Sequence, residues 1–226
     1  MLISLHMPKT AGTSFAKSLE EHYGRGYLRD YGDLPINTSP LLRKTRAVFH
    51  CFVNAVRRFE GVECIHGHFL PLKYLLLGAR RRTWFVTWMR HPMERIVSQY
   101  YHWQRTYDAE TSPPLHRRVI VEQWSLERFC LSPELRNTCS QFLWGFPLHR
   151  FDFVGITEHF EEDFAFFERK FLGSAAAPYR VNINPERERD DYLDDSTLRE
   201  RVEAYHQVDM AIYRQALRLR SGRCQD

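Results

Sequence analysis

The stretch Leu2-Ile3-Ser4-Leu5-His6-Met7-Pro8-Lys9-Thr10-Ala11-Gly12-Thr13-Ser14 decides how the chain folds. Its first five residues read as a short buried strand, and Met7 to Ser14 as a polar loop that opens a helix. A strand ending in a Gly/Ser/Thr-rich turn directs several backbone N–H groups, and the positive end of the next helix, at one spot. Lys9 adds a mobile full charge there. An anion is the natural occupant. The plain alternative is an ordinary capped helix, because Thr10, Thr13 and Ser14 are all good N-cap residues.

The loop differs from the nucleotide-hydrolysing P-loop. It has no G-x-x-x-x-G-K-[ST], and Lys9 precedes Gly12 where a Walker lysine follows its glycine. ATP is therefore not the default ligand.

Working outward, 226 residues with 43% hydrophobic and 14% aromatic content suit one domain, residues 1–226, with a full core. Thirty-two Lys and Arg against 28 Asp and Glu leave a net charge of only +4, so bulk electrostatics does not call for a nucleic-acid partner. No run approaches the roughly 20 apolar residues of a membrane span. The chain also begins inside a strand, without the features of a signal peptide. A cytoplasmic protein without stable membrane insertion is expected. Cys51, Cys64, Cys130, Cys139 and Cys224 are scattered, with no C-x-x-C pair; they read as reduced core thiols rather than a disulfide framework or zinc site.

Along the chain a first helix is expected from about Thr13 to His22, then loop to Pro40. Leu41 to Phe59 reads as helix, its basic residues forming a solvated amphipathic face or, as the alternative, a docking surface for an acidic acceptor. Val62 to Ile65 reads as a strand running into His66-Gly67-His68, and Leu72 to Leu77 as a short buried helix. Thr83 to Met89 is the clearest strand, β-branched and aromatic. A helix follows from Pro92 through Trp103, with proline early and Glu94 in its first turn. After a loop at Asp108 to Pro114, helices are expected at Val121–Leu131 and Glu134–Trp144. A strand at Phe151–Ile156 leads to a helix at Glu158–Phe171 with an apolar stripe of Phe160, Phe164, Phe167 and Phe171. Val181 to Pro185 enters a charged loop, Glu186 to Asp195, before helices at Ser196–Tyr205 and Val208–Arg220. Strands alternating with helices imply an α/β parallel sheet.

Three strand exits hold the unusual residues: Lys9 with its loop, His66 with His68, and Arg90 with the helix that follows it. Ligands of open α/β sheets bind at such carboxyl ends. A guanidinium offers a rigid fork of donors to a phosphate, although Arg90 also fits a surface pair with a glutamate. A neutral imidazole accepts a proton at physiological pH. The alternatives for the two histidines are a structural role or a fragment of a metal site, but no Glu-x-x-His or third ligand lies nearby in sequence.

Pro8 to Ser14 resembles the 5′-phosphosulfate loop of sulfotransferases that use 3′-phosphoadenosine 5′-phosphosulfate (PAPS). Met89 to Tyr101, with Arg90 at the strand end and Ser98 eight residues on, resembles their 3′-phosphate element. A strand followed by His66-Gly67-His68 is similar to heparan sulfate 2-O-sulfotransferase and its uronyl relatives. Asn137 to Gly145, Phe153 to Glu158 and Asp209 to Tyr213 resemble further parts of that family. The likeness covers most of the chain and is weakest over 24–61 and 107–132, which read as acceptor-facing.

The resemblance implies a P-loop-like three-layer α/β/α fold with a central, mainly parallel sheet, and PAPS as co-substrate. It implies that Lys9, Thr10, Ala11, Gly12, Thr13 and Ser14 hold the 5′-phosphosulfate and that Arg90 and Ser98 hold the 3′-phosphate. Arg187 and Arg189, in the charged late loop, are candidates to close over the nucleotide, with a mobile solvated loop as the alternative. His66 or His68 is then the base, Lys9 offsets charge on the departing oxygen, and no metal is required. His68 is favoured as base because it follows a glycine, with His66 as its positioner. Animal enzymes of this type carry an N-terminal anchor, whereas this chain starts at its first strand, so a bacterial-type cytoplasmic enzyme is expected. Its acceptor is expected to be a glycan or glycolipid hydroxyl, with a small alcohol open. Two rivals remain: a small-molecule kinase, which needs magnesium and usually a Walker loop, and a non-catalytic binder of anionic glycans.

Overall fold

The computed structural model describes residues 1–33, 38–79, 81–173 and 196–223. The elements of the first half are β1 (Leu2–Leu5), α1 (Gly12–Tyr23), β2 (Tyr27–Arg29), α2 (Pro40–Val56), β3 (Cys64–Gly67), β4 (Trp84–Met89) and α3 (Pro92–Thr106). They are followed by α4 (Pro114–Val121), α5 (Leu126–Cys130), α6 (Thr138–Phe142), β5 (Phe153–Ile156), α7 (Phe160–Phe167), α8 (Ser196–Tyr205) and α9 (Gln207–Arg223). The strands form one parallel sheet in the order β2-β3-β1-β4-β5. With β1 at its centre, the loop leaving β1 emerges between the exits of β3 and β4, where open α/β sheets bind ligands.

Successive side chains of a strand point to opposite faces, and each face here is covered. Ile3, Leu5, Ile65, Phe85, Met89 and Val154 pack on one side with Phe142 of α6, Tyr213 and Ala216 of α9, and the 3₁₀ segment Pro71–Ala79. Leu2, Cys64, Val86, Trp88 and Phe153 pack on the other with Phe15 and Leu19 of α1 and the Phe160, Phe164 and Phe167 stripe of α7. The result is a three-layer α/β/α architecture. Complete burial of each such phenylalanine is worth roughly 1.5–3 kcal/mol, so the stripe fastens α7 to the sheet. A third cluster builds out from α3, where Ile96, Val97 and Trp103 meet Val119, Trp124, Phe129 and Val202.

The structure departs from the sequence reading in several places. β2 lies inside a stretch read as loop; it is three residues long, sits at the sheet edge, and one of its residues is exposed, so it carries no alternating pattern to detect. The helix expected at 121–131 is instead α4, which ends at Val121, and α5. Gln123 in the left-handed region (φ 49°) separates them, and Ser125 Oγ accepts the Arg128 N–H to start α5. The helix expected at 134–144 is broken at Asn137 (φ 50°), leaving a 3₁₀ turn and the short α6. The expected segment Val181–Pro185, the charged loop Glu186–Asp195 and Cys224 lie outside the described residues. Cys51, Cys64, Cys130 and Cys139 are buried and free, and burial raises the Cys130 thiol to about 12. Among the described residues no helix is long and apolar enough to cross a membrane.

Candidate active site

The loop after β1 is held from below. Met7 is fully buried, and Thr10, 1% exposed, donates its hydroxyl to the Met7 carbonyl at 2.8 Å. Lys9 (φ 67°) and Ala11 (φ 60°) both adopt left-handed backbone, which costs of order 1–3 kcal/mol at a non-glycine residue. Turns of this kind gather N–H groups into anion-binding concavities. α1 then begins at Gly12 with no acid in its first turn and no side-chain cap, so its leading N–H groups have no partner from the helix itself. A Cβ on Gly12 would lie 1.8 Å from His6 Nε2; glycine is required because the His6 ring occupies that space. Burial, and then the charges of Arg90 and Arg105, lower the Lys9 ammonium to about 8.

His6 belongs to a cluster with His66 of β3 and His68 just past its end. Ser4 and His66 are paired across β1 and β3, and Ser4 Oγ lies 2.8 Å from His66 Nδ1. His66 is 1% exposed, and its Nε2 has no hydrogen-bond partner among the described residues. The His6 ring stacks on His66 at 5.1 Å and lies 4.5 Å from that of His68. His68 Nδ1 is 2.5 Å from the His6 carbonyl. A carbonyl only accepts, so Nδ1 of His68 carries the proton and Nε2 bears the lone pair. Burial lowers all three imidazoles. Neighbouring His68, His66 and Lys9 add to the effect at His6, His66 falls to about 3, and the carbonyl bond at His68 opposes but does not reverse its shift. The three rings are neutral at physiological pH.

Gly67 does not serve the purpose first read for it. A Cβ there would lie 1.7 Å from the Asp30 carbonyl oxygen, so glycine permits the backbone just after β2 to approach β3, and Gly67 itself is buried in the strand. His68 gains its place from the bond to His6, not from a flexible neighbour.

At the β4 exit, Arg90 is 9% exposed and its Nη2 lies 3.6 Å from Glu94 Oε2. The next N–H, of His91, donates to Glu158 Oε1 at 2.8 Å. From Arg95 onward α3 turns Arg95, Ser98, His102 and Arg105 toward the same space, spaced by three, four and three residues along one face. Burial, followed by Lys9 and Arg105, lowers His102 to about 4. Thr138 of α6 also reaches this space. The turn that carries it is fixed by Asp209, which accepts the N–H groups of Cys139 and Ser140 at 2.9 and 2.8 Å. Two segments singled out separately in the sequence thus meet here.

These segments meet at one cavity of about 1010 Å³. It brings together Lys9, Ala11, Gly12, Thr13, Ser14, His68, Arg90 and Ser98. Thr10 and His66 are instead buried beneath its wall, Thr10 with its hydroxyl committed to the loop. Arg187 and Arg189 lie outside the described residues. His6, Arg95, His102 and Arg105 line the cavity without having been marked in the sequence. The helical spacing from Arg95 was the available signal for three of them, and for His6 its place directly before the loop. Among the described residues no group of three or more His, Cys, Asp or Glu side chains is arranged to hold a metal ion.

Fold and site together define a parallel α/β protein with a cationic cleft at the carboxyl ends of its strands. No family model matches the chain, and no curated protein matches it. Among solved structures it is similar to a sulfotransferase from Alicyclobacillus acidocaldarius, at 15% identity over 93% of this chain and 92% of that one, with a TM-score of 0.46.

Proposed function

We propose that the protein is a sulfotransferase that moves the sulfuryl group of PAPS to an acceptor hydroxyl, the acceptor being a carbohydrate such as a glycan or glycolipid. The observation that carries this reading is the meeting, in one cavity, of the Lys9 loop, the Arg90 and Ser98 pair, and the neutral imidazole of His68. PAPS supplies a sulfuryl group already activated by a phosphate leaving group. The residues fit it: the loop N–H groups and Lys9 suit its 5′ end, and Arg90 with Ser98 suit its 3′-phosphate. Ligand pockets commonly run to roughly 300–1,000 Å³, and a cavity of about 1010 Å³ has room for a nucleotide and part of an acceptor together.

Within this reading each side chain has one task. His68 takes the acceptor hydroxyl proton at Nε2, and the His6 carbonyl fixes its ring and tautomer. Lys9 offsets the negative charge that grows on the departing phosphate oxygen. His66 and Ser4 support His6 from beneath. Positioning and fixed positive charge supply most of the rate in such a charge-spread transfer. The free, buried cysteines support a reducing, cytoplasmic setting.

The test is incubation with radiolabelled PAPS, in EDTA, and fractionated glycans, glycolipids and metabolites. Label appearing in a glycan or glycolipid supports the reading. No transfer from PAPS, with magnesium-dependent transfer from ATP instead, replaces it with a kinase.

A further inference from the structure

α2 is amphipathic the wrong way round for a helix that only covers a core. Its inner face presents Arg43, Ala47, Cys51 and Asn54, which are buried. Two of these are tied down by polar bonds, Arg43 to the Gln141 carbonyl and side chain and Asn54 to the Lys73 carbonyl. The outer face carries the bulky apolar side chains: Leu41 is 75% exposed, Phe49 64%, Phe52 65% and Val56 67%, with Val48 beside them. At roughly 3.6 residues per turn these five fall within about 100° of arc. Thr45, in their midst, turns its hydroxyl back onto the carbonyls of Leu41 and Leu42, which takes the one polar group out of the stripe.

The borders of the stripe are basic. Lys44, its ammonium 5.0 Å from the Trp144 ring, flanks it on one side and Arg46 on the other, with Arg57 and Arg58 just past its end; residues 40–58 contain no Asp or Glu, and the next acid, Glu60, lies 3.8 Å from Arg58. We infer that this face of α2 docks on an anionic lipid surface, lying in the headgroup layer without crossing it. Charge complementarity chooses the occupant. A second copy joined through the same face would set these cations against themselves with no acid from the helix to match them, whereas acidic headgroups meet them at both borders. A fluid bilayer also conforms to a convex helix face without a preformed groove. Phe49 and Phe52 enter the acyl boundary, and the basic residues stay at headgroup level.

The test is flotation of the whole protein with phosphatidylcholine vesicles, with and without 30% phosphatidylglycerol. Expected are binding to the anionic vesicles, weakening as salt is raised, and at least about a tenfold loss in the Phe49→Ser/Phe52→Ser double variant, whose circular dichroism is unchanged because both side chains face solvent. A second variant, Lys44→Gln/Arg46→Gln/Arg57→Gln, is expected to lose preference for the anionic vesicles. Absence of binding to either vesicle overturns the inference. So does a dimer in sedimentation velocity that the phenylalanine variant abolishes while vesicles do not bind, which assigns the face to self-association.

Discussion

Two exits from the same sheet bring a basic residue into the cleft, and they are finished differently. At the β1 exit the backbone is left-handed at Lys9 and Ala11, and α1 starts with neither an acid in its first turn nor a side-chain cap. At the β4 exit the protein supplies its own anions: Glu94 lies beside Arg90 and Glu158 accepts the His91 N–H. A helix end whose N–H groups meet no internal acid gains most from an external anion; one that carries its own carboxylates gains less, because ligand and carboxylate compete for the same donors. The first exit therefore suits the end of the ligand whose charge changes during reaction, and the second suits a fixed recognition contact.

Substitutions at the first exit should then strike turnover, and those at the second should strike recognition. The largest effect is expected from His68→Ala, whose neutral ring is held on the His6 carbonyl: loss of a general base costs ~10²–10⁴-fold in rate, with binding of adenosine 3′,5′-bisphosphate retained. Rapid-quench turnover beside a binding titration separates the two. His66→Ala, being buried behind the cavity wall, is expected to lose less. A deader His66 variant with its fold intact would reverse their roles.

Lys9→Ala follows, with a fall of ~10²–10³ in turnover, the range for removing one preorganised electrostatic contact, and little change in product binding. Equal losses at Lys9 and Arg90 in both quantities would erase the contrast between the exits. Arg90→Ala is expected to weaken the nucleotide about 10–100-fold, as loss of a charged hydrogen bond implies, and to abolish preference over the analogue lacking the 3′-phosphate. Glu94→Gln removes the competing carboxylate and is expected to tighten nucleotide binding several-fold.

Titration sharpens the contrast more gently. kcat/KM should be bell-shaped in pH, with its acid limb below 6.5, because His68 must be neutral and its pKa is lowered, and its alkaline limb near the Lys9 value of about 8. Stability has a separate window. Between pH about 6.5 and about 3 the unfolded chain protonates His66 while the folded chain does not, so stability is full above that window and falls as pH drops through it. Denaturant midpoints of wild type and His66→Ala across that range would show the slope shrinking in the variant.

Much of this was legible in the sequence, for uneven reasons. β1, β3, β4 and β5 announced themselves as apolar runs, the first three ending in unusual residues; Lys9 stood out in its polar loop, and Arg90 and Ser98 were marked by the family resemblance. β2 was not, since three edge residues carry no period. The break at Gln123 was not, because glutamine carries no preference for left-handed backbone, whereas at Asn137 the tolerance of asparagine for that region was a weak signal left unread. His6 escaped because it reads as the last residue of a strand. Only the register that sets Ser4 against His66, and the space kept open by Gly12, turn it into the ring that packs on both other histidines. Gly67 was noticed for the wrong reason: its lack of a side chain serves the backbone of Asp30, a contact across strands that local sequence does not contain.

The most direct test of the central claim is a calorimetric titration of the whole protein with adenosine 3′,5′-bisphosphate in EDTA, set beside ATP with magnesium. The account predicts metal-independent binding of the bisphosphate, weakened by Arg90→Ala and nearly unchanged by Lys9→Ala. Binding of ATP that requires magnesium, with none of the bisphosphate, would contradict it.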